Sequence, residues 1–251
     1  MDQSNRRNFL RNVSLGSLAA ISIPNIVSAA VATDKTKKIV LKKESIVLFQ
    51  GDSITDAGRK RDIDAANNGA ALGGGYALMA ASDLLLKNAD KNLKIYNKGI
   101  SGNKVYQLAE RWDADCLALK PDVLSILVGV NDYWHTLSHN YNGTVKTYKE
   151  DYDKLLARTQ QQLPDVKFII GEPFAVTGVK AVDEKWYPAF DEYRAAAREI
   201  AAKYNAIFIP YQAVFDKAQK SAPAAYWTGD GVHPSVAGAQ LMAEAWLQCV
   251  K

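Results

Sequence analysis

Five short apolar runs, each set apart from the next by a longer amphipathic stretch, constrain the fold of this chain more than any other feature. They fall at 45–50, 93–97, 122–128, 166–171 and 206–209, with helical periodicity at 75–88, 104–119, 145–163, 188–204 and 235–249. Within the runs the apolar residues do not alternate with polar ones, as Val47-Leu48-Phe49 and Ile126-Leu127-Val128 show. A strand apolar on both faces needs helices on both sides, and strands alternating with helices form parallel sheets. The pattern therefore predicts an α/β chain: a three-layer α/β/α sandwich around a five-stranded parallel sheet. With 251 residues, 48% of them hydrophobic, the chain can close one sizeable core. Neither an internal repeat nor a composition shift marks a second domain. Segments 131–144 and 173–187 read as loops.

In open parallel sheets ligands bind beyond the carboxyl ends of the strands, so chemistry is sought just after each run. Gly51-Asp52-Ser53-Ile54-Thr55 follows the first run. A glycine there permits a tight turn, after which a serine can present both its hydroxyl and its backbone N–H. Near the far end, Asp230-Gly231-Val232-His233-Pro234 precedes the last helix, with Ser235 able to cap it. That one segment can supply a base for a serine nucleophile and a carboxylate to orient the base. Gly129-Val130-Asn131-Asp132 and Asn97-Lys98-Gly99-Ile100-Ser101-Gly102-Asn103 close two further runs. Asn131 offers a side-chain amide and Gly102 a backbone N–H, which with the Ser53 N–H could surround a developing oxyanion. Each segment alone is also compatible with an ordinary turn or cap.

Taken in order, the four segments resemble the blocks of the SGNH (GDSL-type) hydrolases, from Gln50 to the C-terminus and without a departing position. The resemblance implies a flavodoxin-like fold and a serine esterase working without metal or organic cofactor. It assigns Ser53 as nucleophile, Asp230 and His233 as its triad partners, and Ser53, Gly102 and Asn131 as the oxyanion hole. A GxSxG elbow of the ordinary α/β-hydrolases is absent. Asp52, Tyr133 and Trp134 are candidate substrate contacts. The substrate expected is a small-molecule or polysaccharide ester, with a carbohydrate O-acetylesterase the first reading. A lysophospholipase or thioesterase, and a non-catalytic glycan-binding relative, are the alternatives.

The N-terminus reads as an address. Arg6-Arg7-Asn8-Phe9-Leu10-Arg11 precedes a short apolar run and a small-residue stretch, Ser28 to Ala32, with cleavage expected near Ala29 or Ala32; the pattern resembles a twin-arginine signal. The apolar stretch, broken by Gly16 and Pro24, is short of the ~20 residues a membrane span needs. The organisation predicted is a signal at 1–32, a polar lead at 33–43 and a catalytic domain at 44–251. It implies transient contact with the twin-arginine machinery, a periplasmic or extracellular destination and no stable membrane insertion after processing. Setting aside residues 1–32, which hold three arginines against one aspartate, lowers the net charge from +4 to +2. No basic cluster with interleaved aromatics remains, so nucleic acid is not an expected partner.

Cys116 and Cys249 belong to no metal-ligand cluster, and their pairing is left open, since bridging needs Cα atoms about 4.4–6.8 Å apart. His135 and His139 have i,i+4 spacing but lack the Glu of HExxH and read as a surface loop. Gly73-Gly74-Gly75 lacks a Lys-Ser/Thr signature and reads as a flexible loop beside the cleft.

Overall fold

The computed structural model describes residues 38–251. The signal expected at 1–32, and the lead up to residue 37, lie outside the described residues.

All five runs form strands: β1 (Ile46–Gly51), β2 (Lys94–Asn97), β3 (Val123–Leu127), β4 (Lys167–Gly171) and β5 (Ile207–Ile209). They make one parallel sheet in the order β2-β1-β3-β4-β5. Every residue of β3 is buried, as a strand covered on both faces must be. After β1 the chain crosses to one side to lay down β2, then returns to the other side for β3. The order thus reverses between β1 and β3, and a crevice opens at their carboxyl ends.

The helices are α1 (Ser53–Asp56), α2 (Gly69–Leu72), α3 (Tyr76–Lys87), α4 (Val105–Glu110), α5 (Trp112–Asp115), α6 (Val130–Ser138), α7 (Val145–Gln162), α8 (Ala189–Lys203), α9 (Tyr211–Ala218), α10 (Ala224–Trp227) and α11 (Val236–Leu247). One layer is built on α3 and α11, with α9 and α10 against α11; the other is built on α7 and α8, with α4 and α6 against α7. Indole N–H groups tie both layers inward. Trp246 Nε1 donates to Ser125 Oγ at 2.9 Å, and Trp112 Nε1 to Thr159 Oγ1 at 2.9 Å. Each bond satisfies a buried indole N–H that would otherwise cost free energy in the core.

The structure differs from the sequence reading in several places, among them 104–119 and 131–144. The stretch 104–119 is not one helix: it breaks at Arg111 and again at Cys116 into α4, α5 and a 3-10 turn, Leu117–Leu119. Arg111 reaches away to the Lys98 carbonyl at 2.7 Å and to Asn103 Oδ1 at 2.9 Å, so tertiary bonds outweigh helical continuity. Segment 131–144 is not all loop, since α6 occupies its first half. Its Asn, Asp, Tyr, His and Thr are poor helix formers, and contacts beyond the local sequence hold it. Residues near the end of the polar lead pair with the C-terminus: Ile39 N–H donates to Cys249 O at 2.8 Å, Leu41 N–H to Lys251 O at 2.9 Å, and Leu41 is buried.

Cys116 and Cys249 are free and buried, and burial pushes both thiols up to about 12. Among the described residues no helix is long and apolar enough to cross a membrane.

A close approach generates a stability prediction. In α11 a Cβ at Gly238 would lie 2.0 Å from the Trp227 carbonyl oxygen. Gly238→Ala should therefore destabilise the protein by about 1–3 kcal/mol in urea unfolding, although alanine is intrinsically favoured in a helix by about 1 kcal/mol. A gain in stability would show that α10 and α11 do not meet this closely.

Candidate active site

Strand β1 ends on Gly51, at φ 155°, where a Cβ would lie 2.2 Å from the Leu127 carbonyl of the neighbouring strand. Only glycine fits, and the turn it permits puts Asp52 at the N-cap of α1, with Oδ1 accepting from the Ile54 N–H at 3.0 Å. Ser53 is then the first helical residue, at the crevice between β1 and β3.

Ser53 Oγ lies 2.8 Å from His233 Nε2, and His233 Nδ1 lies 2.7 Å from Asp230 Oδ2. The Asp230–His233 turn orders itself: Asp230 Oδ1 accepts from the Val232 N–H at 2.9 Å and the His233 N–H at 2.7 Å. Burial works to raise the Asp230 pKa, but hydrogen bonds from the His233 backbone, the His233 ring and the Val232 backbone outweigh it and hold the carboxyl below its ordinary value. Pro234 follows, and Ser235 Oγ caps α11 by accepting from the Gly238 N–H at 3.2 Å. Asp230 and His233 thus enter the site fixed by the start of a helix on one side and by their own turn on the other.

Gly102, at φ 82°, and Asn131 approach from the other strand ends. Asn131 is buried at the start of α6, and its amide donates to the Asn103 carbonyl at 3.3 Å. That bond joins α6 to the loop carrying Gly102. Among the hydrogen bonds of the described residues, none engages the backbone N–H of Ser53 or of Gly102 with another protein group.

The loop 99–103 is held by residues that the sequence reading did not single out. Asp56 accepts from the Ser101 N–H at 2.9 Å and the Ser101 hydroxyl at 3.2 Å, and it also pairs with Arg61. Arg59 Nε donates to Gly99 O at 2.7 Å, and the Ile100 N–H donates to Gly51 O at 3.0 Å. Although burial opposes it, the Ser101 and Arg61 contacts keep the Asp56 carboxyl below its ordinary value. The available signal was Asp56 standing three residues after Ser53, but nothing in the sequence told where its carboxylate would point.

Of the three candidate substrate contacts, one reaches the cleft. Trp134 is half-buried, with its ring 6.2 Å from that of His233. Tyr133 instead packs against Trp186, Phe190 and Tyr193, with its hydroxyl donating to Lys185 O at 2.7 Å. Asp52 is fully buried next to Ser53 rather than exposed in the cleft. Burial pushes its carboxyl up to about 7, opposed by the Ile54 N–H and by His233. Asp132, equally buried, is also raised to about 7, by burial and by the neighbouring Asp52 charge. One oxygen of each, Oδ2, has no hydrogen-bond partner.

A cavity of about 190 Å3 adjoins Ser53 and His233 and is walled by Gly74, Gly75, Val236 and Ala239. Surface grooves of about 490 and 370 Å3 run along α7 and α8, past Lys149 and Glu199, and contain none of the groups above. Among the described residues no cluster of three His, Cys, Asp or Glu side chains could hold a metal ion.

The profile of the GDSL-like Lipase/Acylhydrolase family matches residues 49–241. An acetylxylan esterase of Geobacillus stearothermophilus is 35% identical over 204 residues, covering 80% of this chain and 92% of the relative. Among solved structures, a Parabacteroides merdae protein named for its likeness to GDSL lipases is 54% identical, with a TM-score of 0.83 over 84% of this chain and 98% of its own. The acetylxylan esterase Axe2 of G. stearothermophilus superposes with a TM-score of 0.74 at 33% identity, over 82% of this chain and 94% of its own. Structures described as catalytic mutants of Axe2 replace by alanine a serine, an aspartate and the histidine three residues beyond that aspartate. Fold, site and sequence together put this chain in the GDSL-like lipase/acylhydrolase family, as a carboxylic ester hydrolase.

Proposed function

We propose that the protein is a serine O-acetylesterase acting on acetylated carbohydrate. The observation that carries the mechanism is the unbroken run of hydrogen bonds from Asp230 through His233 to Ser53, at 2.7 and 2.8 Å. Asp230 Oδ2 accepts the Nδ1 proton of His233, which leaves Nε2 unprotonated to take the Ser53 hydroxyl proton. Ser53 Oγ then bonds to the ester carbonyl carbon. The carbonyl oxygen, now negative, is met by the Ser53 and Gly102 N–H groups and by the Asn131 amide. Collapse expels the alcohol, which leaves with the proton from His233 Nε2. Water activated by the same nitrogen releases the acid and restores Ser53.

The acetylated-sugar reading is supported by the 35% identical acetylxylan esterase and by the size of the cavity beside Ser53. At about 190 Å3 it is below the roughly 300–1,000 Å3 of pockets that enclose drug-sized ligands, which favours a short acyl group over a fatty chain. Trp134 gives the rim of the cleft an aromatic face. The arginine pair at Arg6-Arg7 supports export to the periplasm or beyond.

Acetate release from acetylated xylan by the processed protein tests this reading, alongside a chain-length series of nitrophenyl esters. Rates should fall steeply beyond acetate; a preference for eight or more carbons would transfer the protein to lipid or thioester substrates. Ser53→Ala should lower kcat by up to roughly 10⁶ and Asn131→Ala by on the order of 10²–10³. Wild-type activity in Ser53→Ala would end the serine mechanism. Fractionation of cells expressing the full chain should find the protein outside the cytoplasm and, with Arg6 and Arg7 both changed to Lys, inside it; export unaffected by the change would refute the address.

The two buried acids give a pH prediction. Their folded pKa values near 7 exceed the ~3.9 of an unfolded aspartate, so the folded state binds the extra proton. The stability this contributes is complete below about pH 4 and is lost as the pH rises through 7. Unfolding free energy measured from pH 4.5 to 7.5 should decline, and Asp132→Asn should flatten the decline. An unchanged slope in the variant would show that Asp132 is ionised throughout.

A further inference from the structure

Helix α6 brings more than Asn131 to the cleft. Trp134 and His135 follow at i+3 and i+4, so the three share one helix face. On that face the Trp134 ring approaches His233, and His135 Cε1 lies 4.0 Å from the point where a side chain at Gly102 would begin. The steps of ester cleavage leave His135 without a task.

Its protonation state is set by a second residue of the Gly102 loop region. Lys104 Nζ lies 3.1 Å from His135 Nδ1. An ammonium has only donors, so Nδ1 accepts, and the single ring proton of a neutral imidazole must sit on Nε2. Lys104 is itself confined: it is 7% exposed, and its ammonium lies 5.6 Å above the Tyr106 ring and 5.0 Å above the Tyr141 ring, two rings stacked 6.1 Å apart. Aromatic faces attract such a cation, while burial lowers the Lys104 pKa from its ordinary value, opposed by Asp132. Burial, the Lys104 charge and the His139 ring push His135 down to about 4. The imidazole is therefore neutral around physiological pH, and among the described residues its Nε2–H has no protein acceptor.

We propose that His135 is a specificity-determining residue whose Nε2–H, set in place by Lys104, donates to a hydroxyl or ring oxygen of a neutral sugar on the alcohol side of the scissile ester. The inference rests on the acetylated-carbohydrate reading and on Gly102 as an oxyanion donor. A neutral N–H donor suits an uncharged polyol, and a site that hydrogen-bonds its substrate discriminates against analogues with no acceptor. A fatty acyl chain or a simple aryl ester has nothing to offer that donor. Lys104 acts through His135 and is a positioning residue.

The test compares a monoacetylated methyl xyloside with 4-nitrophenyl acetate, whose leaving group carries no hydroxyl next to the ester, for wild type, His135→Ala, His135→Gln and Lys104→Met. Wild type should prefer the sugar ester. His135→Ala should lower the ratio of kcat/KM values, sugar over aryl, by about tenfold, mostly through KM, as loss of one hydrogen bond does. His135→Gln, whose amide N–H reaches a similar point, should restore part of the ratio. Lys104→Met should also lower it, and 15N spectra, which should show one Nε2–H tautomer for His135 in wild type, should show a mixture. Equal loss on both esters, an unchanged ratio in His135→Ala, or an Nδ1–H tautomer in wild type overturns the inference. A wild type without preference for the sugar ester overturns the carbohydrate reading as well, so the two failures are told apart.

Discussion

The parallel pairing of β1 with β3 at their carboxyl ends is the contact on which the site depends. Gly51 stands opposite Leu127 in register, close enough that any side chain would strike the Leu127 carbonyl. From that point β1 turns into Ser53 and β3 into Asn131 two and four residues later, so one backbone approach sets the distance between the two residues. Because both strands are covered by helices, their ends cannot shift without opening the core, which is close-packed. The loop carrying Gly102 is bound to the same point, through the Ile100 N–H on Gly51 O and through Asp56 on Ser101.

Polar groups around Ser53 are handled differently according to their depth. Asp230 lies at a half-exposed turn, where three hydrogen bonds stabilise its negative charge, and it can hold the imidazole in place while still meeting solvent. Asp52 and Asp132 lie in the core with one unpaired oxygen each, and burial raises both carboxyls to about 7. Burial away from water disfavours the charged form of each. Deep burial thus costs the protein stability as pH rises, while hydrogen bonds hold the shallow carboxylate below its ordinary value.

Helix α6 shows how one element serves packing and chemistry together. Tyr133 faces inward and joins the aromatic cluster of Trp186, Phe190 and Tyr193, while Trp134 approaches His233 and Asn131 and His135 meet the loop at Asn103 and Lys104. Neighbouring residues in the sequence therefore go to opposite tasks. Tyr133-Trp134 reads as an aromatic pair, yet only the tryptophan reaches the site, because consecutive helical residues point about 100° apart.

The sequence by itself determined the sheet and the four segments around it. Strands buried on both faces must be apolar throughout, and that signal is local, so all five runs were legible, with Ser53, Gly102, Asn131, Asp230 and His233 at their ends or in the loop before the last helix. Tertiary structure decided what depends on groups distant in sequence. It broke 104–119 where Arg111 reaches for Lys98 and Asn103, made 130–138 helical despite weak propensity, and drew residues 39–41 into the fold beside the C-terminus. It also decided that Asp52 is core and Trp134 is rim, and that Asp56 and Lys104 reach partners 45 and 31 residues away. Periodicity reports which face a residue takes on its own element; where a long polar side chain ends, and whether its charge survives there, follows only from what the rest of the fold packs around it.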